Sequence, residues 1–401
     1  MTPRRVLALL AATQLLALAP WFSASAVAPA LAARWGLTPG ATAWLTVSVQ
    51  LGFVAGALVS ATLTLPDRWS ARRLVAGSSV LAAMATAGVI VAPSAAAAVA
   101  LRFVTGAALA GVYPPAMKVA AGWFREGRGV ALGVLVAAVT LGSGGPHFVR
   151  WVVPAESWPL VLALAAGSAV AGGVLVLRVP GDGPYAVRAP RFDWGAVPRI
   201  LRDRPTLLAN TGYLGHMWEL YAMWTWIAAW VVASQAARGA TGDAATLAAL
   251  VAFGVIGAGA VGCWLAGLAA DRWGRTLVTS ASLAVSGTCC LGAGFLFAAP
   301  LPVLVPWLLV WGFAIVADSA QFSTAVSELA PQELVGTALT LQTSLGFLLT
   351  TITIFAVPAL AAAIGWRWVM SVLAIGPALG IWGMLALRAR PESRRLAGGR
   401  R

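Results

Sequence analysis

The chain has 401 residues, 60% of them hydrophobic and only 10% charged, with a mean hydropathy of +0.85. Soluble globular proteins carry about 25% charged residues, so an ordinary soluble domain is excluded. The net charge is +14, but the basic residues stand at the ends of apolar segments rather than on one face or in one tail. That placement argues against a nucleic-acid surface.

A bilayer-spanning helix takes about 20 mostly apolar residues, and the apolar segments in chain order predict twelve of them. Helix 1 covers Val6–Ala30, helix 2 Thr42–Leu65, helix 3 Leu74–Ala92 and helix 4 Ala95–Ala121. Helix 5 follows at Gly129–Val153 and helix 6 at Trp158–Leu177. A polar stretch from Arg178 to Pro205 interrupts the pattern. Helices 7 to 9 are Thr206–Ala233, Ala244–Ala270 and Leu277–Ala298. Helices 10 to 12 are Leu301–Ser327, Val335–Ala363 and Trp366–Leu387, and a basic tail follows. Arg4-Arg5 and the Ser23–Ala26 run resemble a secretory leader, but the apolar stretch continues through Ala33. That is longer than a leader's apolar region, so it reads as the first span. Pro114-Pro115 is expected to kink helix 4, because proline removes a donor and clashes one turn back. Cys263, Cys289 and Cys290 all lie in apolar segments and read as small packing residues, with neither a disulfide framework nor a zinc site indicated.

Alternate loops test the count. With the N-terminus inside, the cytoplasmic loops hold 21 basic residues and the outer loops only Arg34, Arg150, Arg238 and Arg367. The remaining two, Arg102 and Lys118, fall within helix 4. Such a bias places both termini in the cytoplasm of an inner-membrane protein. Residues 1–178 and 206–388 then form two six-helix bundles, 179–205 a cytoplasmic linker and 389–401 a basic cytoplasmic tail. The halves also resemble each other. Asp67-Arg68-Trp69 follows helix 2, Asp271-Arg272-Trp273 follows helix 8, and Leu-Val opens both helix 3 and helix 9. Six-helix repeats of this kind are a recognised plan for secondary transporters.

The segment from Gly267 through Asp271, Arg272, Gly274 and Arg275 fits G-x-x-x-D-R-x-G-R. It resembles the loop signature of the major facilitator superfamily. The first copy keeps Asp67, Arg68, Arg72 and Arg73 but has Leu63 and Ser70 where glycines are expected. Arg102-Phe-Val-Thr-Gly106 resembles the R-x-x-x-G motif of that superfamily, and Gly142–Pro146 loosely its glycine-proline motif. The strings around Tyr113-Pro114-Pro115, Gly142–His147 and Gly212–Tyr221 are similar to a bacterial branch grouped with nitrate and cyanate permeases. Nitrate porters bind their anion with arginines on helices 2 and 8, and neither helix here carries a charge, so nitrate is disfavoured. The resemblance implies an all-α membrane fold of twelve helices in two pseudo-symmetric bundles. It also implies a cytoplasmic gate built from Asp67, Arg68, Arg72, Gly267, Asp271, Arg272, Gly274 and Arg275. A carboxylate against a helix N-terminus gains about 0.3–1 kcal/mol, and glycine permits the tight turn, so such a latch is physically reasonable.

An ionisable group near mid-bilayer costs at least about 2.5–3.5 kcal/mol, which makes it a functional candidate by default. Helix 7 carries His216 and Glu219, three apart and on one face with Gly212 and Met223. Helix 10 carries Asp318 and Gln321, again three apart. Glu219, His216 and Asp318 are therefore the proton-coupling candidates, since a carboxylate in a dry cavity and an imidazole can both exchange protons near neutral pH. Helices 1, 4, 7 and 10 line the cavity in the superfamily, so the resemblance assigns substrate-cavity roles to Gln14, Trp21, Arg102, Tyr113, Lys118, His147, Tyr221, Gln321 and Gln342. A structural ion pair or interhelical hydrogen bond is the plainer alternative, for instance with Glu219 or Asp318 held permanently by Arg102 or Lys118.

The expected function is proton-coupled secondary transport of a small polar or anionic solute by alternating access, as symport or antiport. A drug or metabolite efflux antiporter or a uniporter of the same fold is the alternative. No phosphate-binding G-x-x-x-x-G-K-[ST] stretch is present, which argues against an ATP-driven pump. His216-x-x-Glu219 could be half of a metal site, but His147 is the only other histidine, so a membrane enzyme is disfavoured, as is a channel. No cofactor or metal is expected. The expected partners are the solute, protons and the lipid bilayer, the chain acting as a monomer without nucleic acid.

Overall fold

A computed structural model describes residues 1–124, 128–186 and 192–401. Arg125, Arg188 and Arg191, counted above among the basic loop residues, lie outside them, as does the side chain of Arg128. Every regular element among the described residues is helical. The twelve spans are labelled α1 to α12 in chain order. They are α1 (3–35, in pieces Pro3–Ala17, Ser23–Ala26 and Ala28–Trp35), α2 (Pro39–Thr62), α3 (Ala71–Gly88) and α4 (Ala95–Leu109 and Tyr113–Trp123). Next come α5 (Arg128–Val152), α6 (Trp158–Val176), α7 (Arg204–Ala237), α8 (Ala244–Trp273) and α9 (Arg275–Leu296). The last three are α10 (Leu301–Ala317 and Ser319–Leu329), α11 (335–364) and α12 (366–388).

Nine described segments are both long and apolar enough to cross a bilayer. One of them, Gln332–Arg388, doubles back at Gly365 (φ 81°) and so counts twice. The two spans missing from the nine are α1, which is broken, and α7, which carries the buried charges. Large apolar side chains such as Met84, Leu291, Phe295, Leu379 and Trp382 point outward. In a soluble protein that belt would aggregate; against acyl chains it is at home.

Local chemistry sets the helix starts. Thr38, Ser94, Asp203 and Asp243 accept hydrogen bonds from the first-turn N–H groups of α2, α4, α7 and α8, satisfying orphan donors. Proline stands at N1 or N2 of α2, α6 and α7, where its missing N–H costs nothing.

Three of the spans predicted as continuous are broken. The α1 helix opens around Pro20, the α4 helix unwinds at residues 110–112 just ahead of Pro114-Pro115, and the α10 helix breaks at Asp318. The proline effect on α4 accords with expectation, and Pro20 gives α1 a similar signal that the continuous reading of helix 1 passes over; the α10 break at Asp318 has no proline beside it.

Small residues let helix pairs approach closely, and the same device recurs in both chain halves. A methyl group on Gly106 of α4 would overlap the Val49 carbonyl oxygen of α2, and one on Gly312 of α10 would overlap that of Val255 in α8. Between the halves, α5 runs alongside α8. Phe148 faces Phe253 at 5.1 Å at one end. At the end bearing the basic loops, a methyl on Gly129 would sit 3.1 Å from Asp271 Oδ2. Likewise α2 meets α11, with Trp44 against Phe355 at 4.9 Å and Phe53 against Phe347 at 4.6 Å. Contacts at both ends leave the centre enclosed.

The tail is not a free basic extension. Leu396 is fully buried, the Ala397 N–H donates to Glu328 (3.1 Å), and Arg400 donates to the Asp271 carbonyl. These contacts hold the tail across the basic end of the second half.

Candidate functional site

The α7 helix is the site's axis. At about 100° per residue, Glu219 and Tyr221 fall on opposite faces. The Glu219 face turns into the second half of the chain. The Ser286 hydroxyl donates to Oε1 at 2.7 Å and the Cys290 thiol to Oε2 at 3.2 Å, both from α9. One turn earlier, His216 Nδ1 lies 2.9 Å from Asp318 Oδ1 at the break of α10. All three ionisable groups are buried. The contact is an ion contact rather than an aligned hydrogen bond, and His216 Nε2 and Asp318 Oδ2 have no partner. Sequence spacing placed Glu219 and His216 on one face; that Asp318 closes on His216 required the α10 break.

The opposite face of α7 meets the first half. Tyr221 lies 6.0 Å from Trp21 of α1 and 5.2 Å from Phe347 of α11, and Trp224 lies 5.7 Å from Phe22 of α1. Gln342 of α11 donates to Asn210 of α7 at 2.9 Å. Gln14, buried on α1, donates to the Val112 carbonyl at the break of α4 across 3.4 Å. Tyr113 opens the second segment of α4 and is half-buried. His147 is buried on α5 with its Nε2 unpartnered.

Three expected cavity residues lie elsewhere. Arg102 donates to the carbonyls of Pro20 (2.8 Å), Leu45 (3.2 Å) and Trp21 and to the Ser23 hydroxyl (3.3 Å). Opening α1 at Pro20 frees the carbonyls of Pro20 and Trp21, and four of the five guanidinium N–H groups are taken by these contacts. Lys118 pairs with Asp67 and donates to the Pro66 carbonyl (3.2 Å) near the basic end. Gln321 accepts from Arg275 (2.8 Å), which also grips Glu328 with two bonds of 2.8 and 2.7 Å. Neither Arg102 nor Lys118 therefore pairs with Glu219 or Asp318; the contacts of these carboxylates are instead the interhelical hydrogen bonds from Ser286 and Cys290 and the His216 imidazole.

Of the loop-signature residues, Asp271 stands at the N-terminus of α5 and 3.7 Å from Arg275. Gly274 takes φ 93°, and a methyl there would overlap the carbonyls of Arg400 and Arg401. Arg72 donates to the Val179 carbonyl (2.8 Å). Arg68 and Arg272 are exposed, and Gly267 has open space around it. Spacing missed Ser286 and Cys290, because a serine and a cysteine in an apolar helix read as packing. It also missed Gln50, Phe22, Phe53 and Phe347, which look like ordinary core.

No group of three or more His, Cys, Asp or Glu side chains that could hold a metal occurs among the described residues.

Comparison with known proteins agrees with this architecture. The family model of the Major Facilitator Superfamily matches residues 10–350. A niacin transporter, NiaP, of Acinetobacter baylyi (strain ATCC 33305 / BD413 / ADP1) is 27% identical over 169 residues, which is 40% of this chain. The matched stretch spans only 36% of that relative's length. Among solved structures, the human organic anion transporter MFSD10 (TETRAN) superposes with a TM-score of 0.69 at 16% identity, covering 96% of this chain and 100% of that one. A bacterial homolog of the human lysosomal transporter Spinster, inward-facing and unoccupied, gives 0.72 at 13% identity, covering 96% and 97%. At such identities the structures speak for the fold alone. With the family match extending over most of its length, the chain belongs to the Major Facilitator Superfamily.

Proposed function

We propose that this chain is a proton-coupled secondary transporter of a small polar or anionic organic solute, working by alternating access. Two six-helix bundles, residues 1–178 and 206–388, rock about the central α7–α1 contact, with 179–205 as the linker. The basic end faces the cytoplasm, following the charge bias of the loops. The observation that carries the reading is the pair of carboxylates, Glu219 and Asp318, buried at the heart of the second half with only protonatable or neutral partners. A structural carboxylate at that depth is expected to hold a permanent cation, the kind of partner that even the less buried Glu328 has in Arg275. Partners such as His216, a serine and a thiol suit a carboxylate that gains and loses a proton.

Proton binding on α7 reaches the solute side through the helix itself, since the two faces move as one rigid element. Asp271 against the start of α5 is a contact between the halves that must part for the basic end to open, while the Arg275–Glu328 pair holds α9 to α10 within the second half.

Uptake into proteoliposomes, with and without a proton gradient, tests the reading. Glu219→Gln is expected to abolish gradient-driven accumulation while solute counterflow survives. Unchanged accumulation removes Glu219 from the coupling step, and failure of the wild-type protein to move any solute of a broad panel overturns the transporter reading.

A further inference from the structure

The nature of the solute is written in the contact between the two chain halves, given that the chain is a transporter with its site there. Six rings converge at this place: Trp21 and Phe22 of α1, Phe53 of α2, Tyr221 and Trp224 of α7, and Phe347 of α11. Neighbouring centroids are 4.6–6.0 Å apart, the closest pair being Phe53 and Phe347 and the widest Trp21 and Tyr221. Only Phe22 and Tyr221 lie close to parallel, at 19°; the other planes are tilted or edge-on.

Clustered rings alone are ordinary core. These come with polar atoms that have nothing to bond. Trp21 Nε1, Trp224 Nε1 and both ends of the Gln50 amide are buried and unpartnered, Gln50 lying one turn before Phe53 on α2. Unpartnered indole N–H groups also occur away from the cluster, at Trp230, Trp307 and Trp311; here they come together with Gln50 and the rings at the contact between the halves. Indole N–H is a donor only, so two of these atoms seek an acceptor oxygen. Arg102 has four of its five donors committed to α1 and α2, and the buried carboxylates sit on the other face of α7. The cluster is thus aromatic, without a charged side chain among its six rings and Gln50, and carries more unpartnered donors than acceptors.

We propose that this cluster binds a small planar aromatic solute bearing an oxygen acceptor, such as an aromatic carboxylate. The ring packs among Trp21, Tyr221 and Phe347, in the offset or edge-on geometry aromatic pairs prefer. The oxygens take the indole N–H groups of Trp21 and Trp224 and the Gln50 amide. An organic ammonium ion also suits aromatic faces, but it brings no acceptor for those donors.

Calorimetric titration of the purified protein in lipid nanodiscs separates these cases. Benzoate and indole-3-carboxylate are expected to bind about ten-fold or more tightly than cyclohexanecarboxylate, which has the carboxylate without the aromatic ring, given about 0.5–1.5 kcal/mol per aromatic contact. Benzyltrimethylammonium is expected not to compete. Trp21→Phe and Trp224→Phe keep a ring and remove the N–H, and each is expected to weaken benzoate by about three- to ten-fold. Unliganded melting curves identify whichever of the two is folded. Equal binding of cyclohexanecarboxylate, preference for the ammonium probe, no binding of either aromatic carboxylate, or full affinity in both folded tryptophan variants overturns the proposal. Benzoate that binds but is never accumulated by proteoliposomes overturns the transport reading while this site stands. An aliphatic solute that is accumulated without competition from benzoate does the reverse.

Discussion

The first and fourth spans of each half are joined by a buried polar contact, and the two contacts differ in kind. In the first half, Arg102 of α4 is wrapped by backbone carbonyls freed where α1 opens. A guanidinium stays charged under all ordinary conditions, so that contact is permanent and neither proton nor solute can edit it. In the second half, Asp318 at the break of α10 meets His216 of α7, and Glu219 lies one turn on. Here the contact joins two side chains, an imidazole and a carboxylate, rather than a side chain and backbone. One repeat has built the α1–α4 contact as a staple, whereas the proposed function uses the α7–α10 contact as a switch. Pseudo-symmetric bundles can thus divide labour without departing from a common fold.

The sharpest way to break the comparison is Arg102→Ala. Removing one side of a buried charged contact costs roughly 3–5 kcal/mol, so a large drop in melting temperature is expected, with Arg102→Lys recovering only part because it cannot fork. Normal melting in Arg102→Ala would show that α1 holds its break unaided. Asp318→Asn is expected to act on function instead. It loses one charged contact, about 1.5–3 kcal/mol, read as roughly a ten- to hundred-fold fall in gradient-driven uptake, along with loss of ligand-induced thermal stabilisation. Melting of the unliganded protein is expected to fall less than in Arg102→Ala, and full retention of both activities counts against a switch.

A smaller effect comes at the basic end. Lys118→Met removes a partly exposed pair with Asp67, for which about 0–1 kcal/mol is expected, with solute binding unchanged. Loss of binding in this variant would return Lys118 to the solute site. The least effect belongs to Asp243, the exposed cap of α8. Hydrogen bonds from Thr246 hold its carboxyl below the usual aspartate range. Its stabilisation is therefore present above the ordinary aspartate pKa and is lost as pH falls through the lowered one. Asp243→Ala should lower the melting temperature slightly at neutral pH and leave no difference from wild type under strong acid; a larger gap in acid than at neutral pH reverses that sign.

Much of this plan was legible from residue order. Apolar length marked the spans, the loop charges marked the basic end, and Glu219 with His216 fell on one face by spacing alone. Arg102 and Lys118 show where such reading stops. Both looked like cavity charges because a charge inside a span is costly, yet what satisfies each is backbone or side chain from remote segments, Pro20, Trp21 and Leu45 for the one and Asp67 for the other. Gln321 turned from solute to Arg275 for the same reason.

By itself, then, the sequence determined that the chain lives in a bilayer, how many times it crosses, and which side chains carry a cost that demands explanation. Those follow from hydrophobicity and helical periodicity, which act over a few neighbouring residues. Tertiary structure alone decided where α10 opens, which costly groups meet a permanent charge or backbone partner and which meet a hydroxyl, thiol or imidazole, and that Trp21, Phe53, Tyr221 and Phe347 meet. Each of these depends on residues tens to hundreds of positions apart meeting in space, and no local pattern encodes that meeting.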